Sequence, residues 1–142
     1  LVSKGYVNDI HEAFCKYLGT DCPAYVKRYH LTPAEGIQLI KNAGGAAILA
    51  HPGLLSNPEL LNIMLKTGID GIEVYHSKHT KEQSHYYAKV AMENNLLITG
   101  GSDCHGELIN GMPIVGDVTI SMEELSSLKN KAAYNKMNNC KS

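Results

Sequence analysis

Ala46-Ala47-Ile48-Leu49-Ala50-His51-Pro52-Gly53 is the stretch on which the fold of this chain turns. Five small or branched apolar residues in succession, with no polar alternation, predict a strand buried on both faces, as in a helix-covered parallel sheet. Pro52 and Gly53 stop that strand and leave His51 at its C-terminal end. In parallel α/β sheets and barrels this is the end where chemistry collects. A second stretch, Leu96-Leu97-Ile98-Thr99-Gly100-Gly101-Ser102-Asp103-Cys104-His105-Gly106, repeats the design with different residues. Again a short apolar run delivers metal-capable side chains at its exit. Two unrelated stretches behaving alike predict one shared metal site.

Helix signals lie on either side. Val7, Ile10, Phe14, Tyr17 and Leu18 have helical spacing and Gly19 follows as a stop, which predicts a helix over 7–18. After an irregular stretch around Pro23, Thr32-Pro33-Ala34-Glu35 reads as N-cap, first helical proline and capping-box glutamate. That helix is expected to turn Ile37, Leu39 and Ile40 inward and to end near Gly44-Gly45. Asn57-Pro58-Glu59 opens the next helix, through Leu60, Leu61, Met64 and Leu65 to Gly68. Gly71-Ile72-Glu73-Val74-Tyr75 is the second strand, and Thr80-Lys81-Glu82-Gln83 starts a long helix through Tyr87, Val90 and Ala91. Leu96 to Thr99 is the third strand, and residues 115–120 read as a short further one. Ser121-Met122-Glu123-Glu124 caps a last helix, with the Asn- and Lys-rich end from Asn135 expected to fray. Alternating strands and helices of this kind make parallel strands joined by right-handed crossovers.

The chain has 142 residues, enough for one domain with a real core, and its 19% charged and 44% hydrophobic residues argue against disorder. A net charge of −1 gives no bulk reason for a nucleic-acid coat or an anionic membrane surface. Its longest apolar run is far too short to span a bilayer, and no signal peptide is visible. Cysteines 15, 22, 104 and 140 form no CxxC pair, so a reduced, cytoplasmic chain is the simplest expectation. It begins Leu1-Val2-Ser3-Lys4 without an initiator Met, which reads as processing or as a piece of something longer.

His51 alone reads most simply as a strand-end imidazole satisfied by backbone carbonyls. Asp103 and His105 are sharper, because two residues apart on extended chain they point the same way and can reach one cation. Glycines 100, 101 and 106 around them allow close approach to a metal or phosphate. Imidazole mixed with carboxylate suits Zn, Mn or Fe rather than Ca. Cys104, between the two, is expected to point away from them. Glu73 is either an inward-facing acid near the metal or a partner for a neighbouring cation. His76 and His79 leave the second strand in a loop, where an imidazole could hold a phosphate or donate to a leaving oxygen. His79 reads equally as an exposed loop histidine. His11, His30 and His85 read as structural or surface residues. No nucleophile elbow, Walker loop or dinucleotide fingerprint is present.

Together these elements resemble the C-terminal part of the PHP family, the polymerase and histidinol phosphatase metal-dependent phosphoesterases. Ile48-Leu49-Ala50-His51-Pro52-Gly53 is similar to that family's AHP element, and Gly71 to His76 with His79-Thr80 to its GIEVYH and HT segment. Leu97 through Gly106 is similar to its closing GSDxHG element. Gly5-Tyr6-Val7, Tyr17-Leu18-Gly19 and Pro23-Ala24-Tyr25-Val26 resemble the helical insertion of the branch acting on nucleoside bisphosphates and short RNA 5′ ends.

The resemblance implies an α/β chain of parallel β/α units, forming the C-terminal part of a distorted seven-unit TIM-like barrel. Residues 1–31 would be a remnant of the helical insertion with a linker, and residues 32–142 the barrel half. It implies metal ligation by His51, Asp103 and His105, a catalytic His76, and substrate contacts from His79 and Glu73. Two or three divalent ions (Zn, Mn, Fe or Mg) would serve the intact enzyme, acting on a phosphorylated small molecule, a nucleotide or an RNA 5′ end. The family's first ligands come from an HxH element that this sequence lacks. The expected partner is therefore the missing N-terminal half of the same protein, with self-association of the isolated chain as a consequence and no membrane partner. The alternative is a non-catalytic half-barrel that binds only metal or a partner, and an HxH element upstream would separate the two.

Overall fold

The computed structural model of the chain describes residues 1–27, 29–106 and 108–139, so Cys140 lies outside the described residues. The chain divides into two compact units, Leu1–His30 and Leu31–Ser142. In the first, helix α1 (Ile10–Ala13) begins at Ile10 rather than at Val7. The reason is Asp9, whose carboxylate accepts the Glu12 N–H at 2.7 Å and fixes the N-terminus there. The helix passes into a π-helical turn, Phe14–Leu18, closed by the Gly19 N–H on the Phe14 carbonyl at 2.8 Å. Val7 and Ala13 are buried while Ile10, Phe14 and Leu18 are exposed, so the apolar spacing does not mark an inward face here.

The second unit is an α/β layer. Strands β1 (Ile48–Leu49), β2 (Gly71–His76) and β3 (Leu97–Gly101) form a parallel sheet in sequence order. Ile48 pairs with Gly71 on one side of β2, and Gly71 pairs with Leu97 on the other. Helices α2 (Pro33–Asn42), α3 (Glu59–Thr67) and α4 (Lys81–Glu93) alternate with the strands, and α5 (Met122–Asn139) follows them. Thr32 with Glu35 and Thr80 with Gln83 form complete capping boxes, and Ser121 with Glu124 exchanges the same two hydrogen bonds.

The core forms on one face of β2. Ile72 and Val74 are fully buried against Leu61 of α3 and Tyr87, Val90 and Ala91 of α4, with Leu49 and Ile98 packed beside them from the neighbouring strands. Each such branched side chain contributes about 1.5–3 kcal/mol on burial. Glu73 is half-buried and Tyr75 exposed on the opposite parity. β1 is not buried on both faces as its composition predicts; Ile48 and Leu49 are half-buried, because β1 is an edge strand with only β2 beside it.

Three further expectations are corrected. Leu39 and Ile40 of α2 are exposed rather than inward. Residues 115–120 form no strand; the hairpin lies earlier, with β4 (Leu108–Ile109) antiparallel to β5 (Met112–Pro113). Its turn, Asn110-Gly111, has φ of 52° and 78°, the pair of left-handed residues that a tight hairpin requires. The chain from Asn135 does not fray before Asn139, since α5 continues and the Asn135 amide donates to the Gly45 carbonyl at 2.8 Å. No helix among the described residues is long and apolar enough to cross a membrane.

At the N-terminal end of the sheet, Asp70 gathers three elements. One carboxylate oxygen accepts the Ala47 N–H at 2.9 Å, and the other lies 3.2 Å from Lys41 and 3.1 Å from Lys131. Burial alone would raise this carboxyl's pKa, but the Ala47 N–H, Lys131 and Lys41 together hold it below the ordinary aspartate range. The folded pKa thus lies under the unfolded value of about 3.9. Its stabilisation is complete above that value and is lost as pH falls through the folded pKa. Asp70→Ala is expected to cost about 2–3 kcal/mol in urea unfolding, less than a fully buried pair because both lysines reach water. Asp70→Asn should lower stability at pH 7 and flatten the decline in melting temperature below about pH 4.

Candidate functional site

The C-terminal ends of the three parallel strands bring together four of the residues singled out in the sequence. His51 follows β1, His76 closes β2, and Asp103 and His105 follow β3. The His51 and His76 rings meet edge-on with centroids 5.7 Å apart, and His76 Nε2 lies 3.4 Å from Asp103 Oδ2. His51 and Asp103 both hold left-handed backbone, with φ of 32° and 53°. Non-glycine residues in that region cost about 1–3 kcal/mol and persist where surroundings over-determine them.

His76 is the buried member. Its side chain has no solvent exposure. The Lys78 N–H donates to Nδ1 at 3.1 Å, which leaves the ring proton of a neutral imidazole on Nε2. That Nε2 is buried without a hydrogen-bond partner, because the approach of Asp103 Oδ2 lacks hydrogen-bonding geometry. A buried donor left unpaired costs about 1–3 kcal/mol. The atom therefore presents an N–H, not a free lone pair, on the side that faces Asp103.

His105 has the opposite arrangement. Its Nδ1–H donates to the Asp103 carbonyl at 2.8 Å, which leaves the Nε2 lone pair outward on an exposed ring. A backbone carbonyl on the far nitrogen is the usual support of a metal-ligating histidine. His79 has neither nitrogen free: Nδ1–H donates to the Val74 carbonyl at 3.0 Å, and Nε2 accepts the Gly53 N–H at 3.1 Å. Glu73 accepts the His51 N–H at 2.7 Å. Both residues singled out for substrate contact are thus engaged with backbone of this chain. Cys104 is half-buried, and His85 is exposed on α4.

The donor chemistry of His51, Asp103 and His105 suits a divalent transition metal. Among the described residues, however, no three histidine, cysteine or carboxylate side chains gather closely enough to hold one. The chain presents part of a donor set along one edge. Sequence reasoning missed the Lys78 amide that sets the His76 tautomer, since a backbone donor leaves no trace in residue identity. It also read Gly100 as freedom for a ligand. A Cβ there would stand 2.6 Å from the Tyr75 Cβ and carbonyl, so Gly100 serves strand packing at the irregular pairing between Glu73 and Tyr75.

No protein-family model matches the chain. Over 82 residues it is 38% identical to the phosphoribosyl 1,2-cyclic phosphate 1,2-diphosphodiesterase of Eggerthella lenta, an alignment covering 58% of this chain and 31% of that protein. Over 110 residues it is 34% identical to the 3′,5′-nucleoside bisphosphate phosphatase of Chromobacterium violaceum, covering 74% and 39%. The 5′-3′ exoribonuclease of Haemophilus influenzae aligns over 110 residues at 34% identity, covering 74% of this chain and 40% of that one. In structure, a Bifidobacterium adolescentis protein assigned as a metal-dependent phosphoesterase matches with a TM-score of 0.66 and 28% identity. That match covers 92% of this chain and 47% of the other. The parallel α/β fold is similar to that of a metal-dependent phosphoesterase structure. The relatives are phosphodiesterases, nucleoside bisphosphate phosphatases and exoribonucleases, and PHP-type phosphoesterase structures stand among the matches; the chain spans less than half the length of those it matches.

The hydrogen bonds predict opposite tautomers for adjacent histidines. Long-range nitrogen–proton correlation spectra at neutral pH should show His76 protonated at Nε2 and His79 at Nδ1. A common tautomer for the two rings would contradict the arrangement described.

Proposed function

We propose that the chain is the C-terminal half of a barrel phosphoesterase, with residues 1–31 the remnant of a helical insertion. In this reading the intact protein that contains it hydrolyses phosphate monoesters or nucleotide and RNA-end phosphates. The observation that carries the reading is the buried, unpartnered Nε2–H of His76 beside Asp103, flanked by His51 and His105 at the same sheet end.

His51, Asp103 and His105 would hold divalent ions, with the remaining donors supplied from outside these 142 residues. Bound ions of this kind lower the pKa of water and neutralise phosphate charge. Asp103 supplies the anionic donor at the exit of β3. His105 reaches out with Nε2 because Nδ1 is tied to the Asp103 carbonyl. His76 donates from Nε2 to a phosphate oxygen, which relieves its unpaired state only when an oxyanion is present. The ring is held for that task by the Lys78 amide. Both His79 nitrogens and one Glu73 carboxylate oxygen bond backbone, which favours support over substrate contact for these two residues. The exposed Tyr75 side of the sheet is where the other half of the barrel would pack.

The test is hydrolysis of a nucleoside 3′,5′-bisphosphate with Mn²⁺, using the longest natural polypeptide that contains this sequence. Asp103→Asn keeps the shape of the strand end and removes its charge, so turnover should fall by about 100-fold or more with the melting temperature little changed. The 142-residue chain alone should show no appreciable turnover. Robust metal-dependent hydrolysis by these residues alone, or an Asp103→Asn enzyme of normal rate, would overturn the reading.

A further inference from the structure

The turn that carries His51 has few means of holding itself. Pro52 has no N–H, and the hydrogen bonds within the turn run from the Leu54 N–H to the His51 carbonyl at 3.0 Å and from the Leu55 N–H to the Pro52 carbonyl at 3.2 Å, neither using the amides of residues 51 and 53. The amides of residues 51 and 53 therefore point away from the turn, and both are taken by the next β/α unit. Glu73, in the middle of β2, accepts the His51 N–H at 2.7 Å. His79, just before α4, accepts the Gly53 N–H at 3.1 Å on Nε2 while its Nδ1–H is anchored on the Val74 carbonyl at 3.0 Å. Gly53 is required for this approach, because a Cβ would stand 2.6 Å from His79 Cδ2 and 2.9 Å from Nε2. Between the two latches His51 sits at φ 32° and ψ 58°, a left-handed conformation that histidine does not choose unaided.

We infer that Glu73 and His79 are positioning residues that together latch the 51–53 turn and so aim the His51 imidazole. The inference rests on the proposed function only for what His51 then does; the latch itself is a statement about two amides. Glu73 is the stronger element, since an ionised carboxylate makes a shorter, charge-assisted bond to the amide. His79 acts at one remove, fixing the far side of Pro52 and leaving no nitrogen for a ligand.

Amide exchange and imidazole shifts of the chain, read by NMR without metal or substrate, test the latch separately from the phosphoesterase reading. In Glu73→Leu the His51 amide should exchange at least about tenfold faster and the His51 ring resonances should move. The Gly53 and Ala47 amides should stay protected, the latter being held by Asp70 at the other end of the strand. Glu73→Gln, which keeps an acceptor oxygen, should restore most of the protection with the amide proton shifted upfield by the lost charge. His79→Ala should release the Gly53 amide and spare the His51 amide. If Glu73→Leu does not fold, as loss of Ala47 protection would reveal, the glutamine and alanine variants decide. A His51 amide whose exchange ignores Glu73→Leu in a folded chain or whose chemical shift ignores Glu73→Gln, or a Gly53 amide that ignores His79→Ala, overturns the latch. Loss of hydrolysis with both latches intact would instead count against the functional reading alone.

Discussion

Between Ala47 and Gly53 the backbone has only a two-residue ladder of its own, and its position is set by hydrogen bonds from residues 70–79. At the entry, the Asp70 N–H donates to the Ala47 carbonyl at 2.7 Å and the Asp70 carboxylate accepts the Ala47 N–H. At the exit, Glu73 and His79 take the amides of residues 51 and 53. β2 can impose this because it alone has a strand on either side and carries the fully buried Ile72 and Val74. The placement of His51 is therefore inherited from the packing of α3 and α4 against β2. A cavity in that core, far from any polar group, would loosen the strand end as well as the fold.

The histidines at this end are differentiated by backbone groups rather than by charged neighbours. A carbonyl on Nδ1 turns His105 into a lone-pair donor at Nε2, whereas an amide on Nδ1 turns His76 into a proton donor at Nε2. His79, bonded at both nitrogens, is a structural strut. Each tautomer follows from whether the partner is an N–H or a C=O; for His76 and His105 that partner lies two residues away, whereas His79 is held from β2 and from the Gly53 turn. Asp103 and His51 accept left-handed backbone. The strain sits at the two strand exits that frame His76, as is usual where geometry is fixed for a task.

Much of this was legible in the sequence. The uninterrupted apolar run before His51 and the capping residues Thr32, Thr80 and Ser121 gave the alternation of helices and parallel strands, because each signal is local. The convergence of His51, His76, Asp103 and His105 followed from topology, since C-terminal ends of neighbouring parallel strands lie at one level. What depends on tertiary neighbours was not legible. Leu39 and Ile40 have helical spacing yet stay exposed, and Ile10 and Phe14 do likewise. Asn110-Gly111 is a local hairpin-turn signal, yet the expected strand falls at 115–120 instead. Glu73 was placed on the correct parity, but nothing in its identity says that its acceptor meets an amide one strand away.

The same topology accounts for a donor set that lines an edge without closing. His51 and Asp103 leave β1 and β3, which are separated by β2. Adjacent strands stand about 4.8 Å apart, so these two exits are roughly 10 Å from each other at the backbone. Donors to a single ion, with bonds of about 2.0–2.2 Å, must end within about 4 Å of one another. Among the described residues the side-chain donors do not gather, and the three consecutive strands give an arc with His76 at its centre. In the proposed reading, His51 and the Asp103–His105 pair belong to neighbouring ions rather than to one, and the opposite wall of each site comes from strands that face this arc across a barrel. His76, between these strand exits, would donate its buried N–H to an oxyanion of the substrate. In that reading a phosphate oxygen is a better match for the His76 N–H than an ion, which agrees with the absence of a gathered metal-ligand cluster among the described residues.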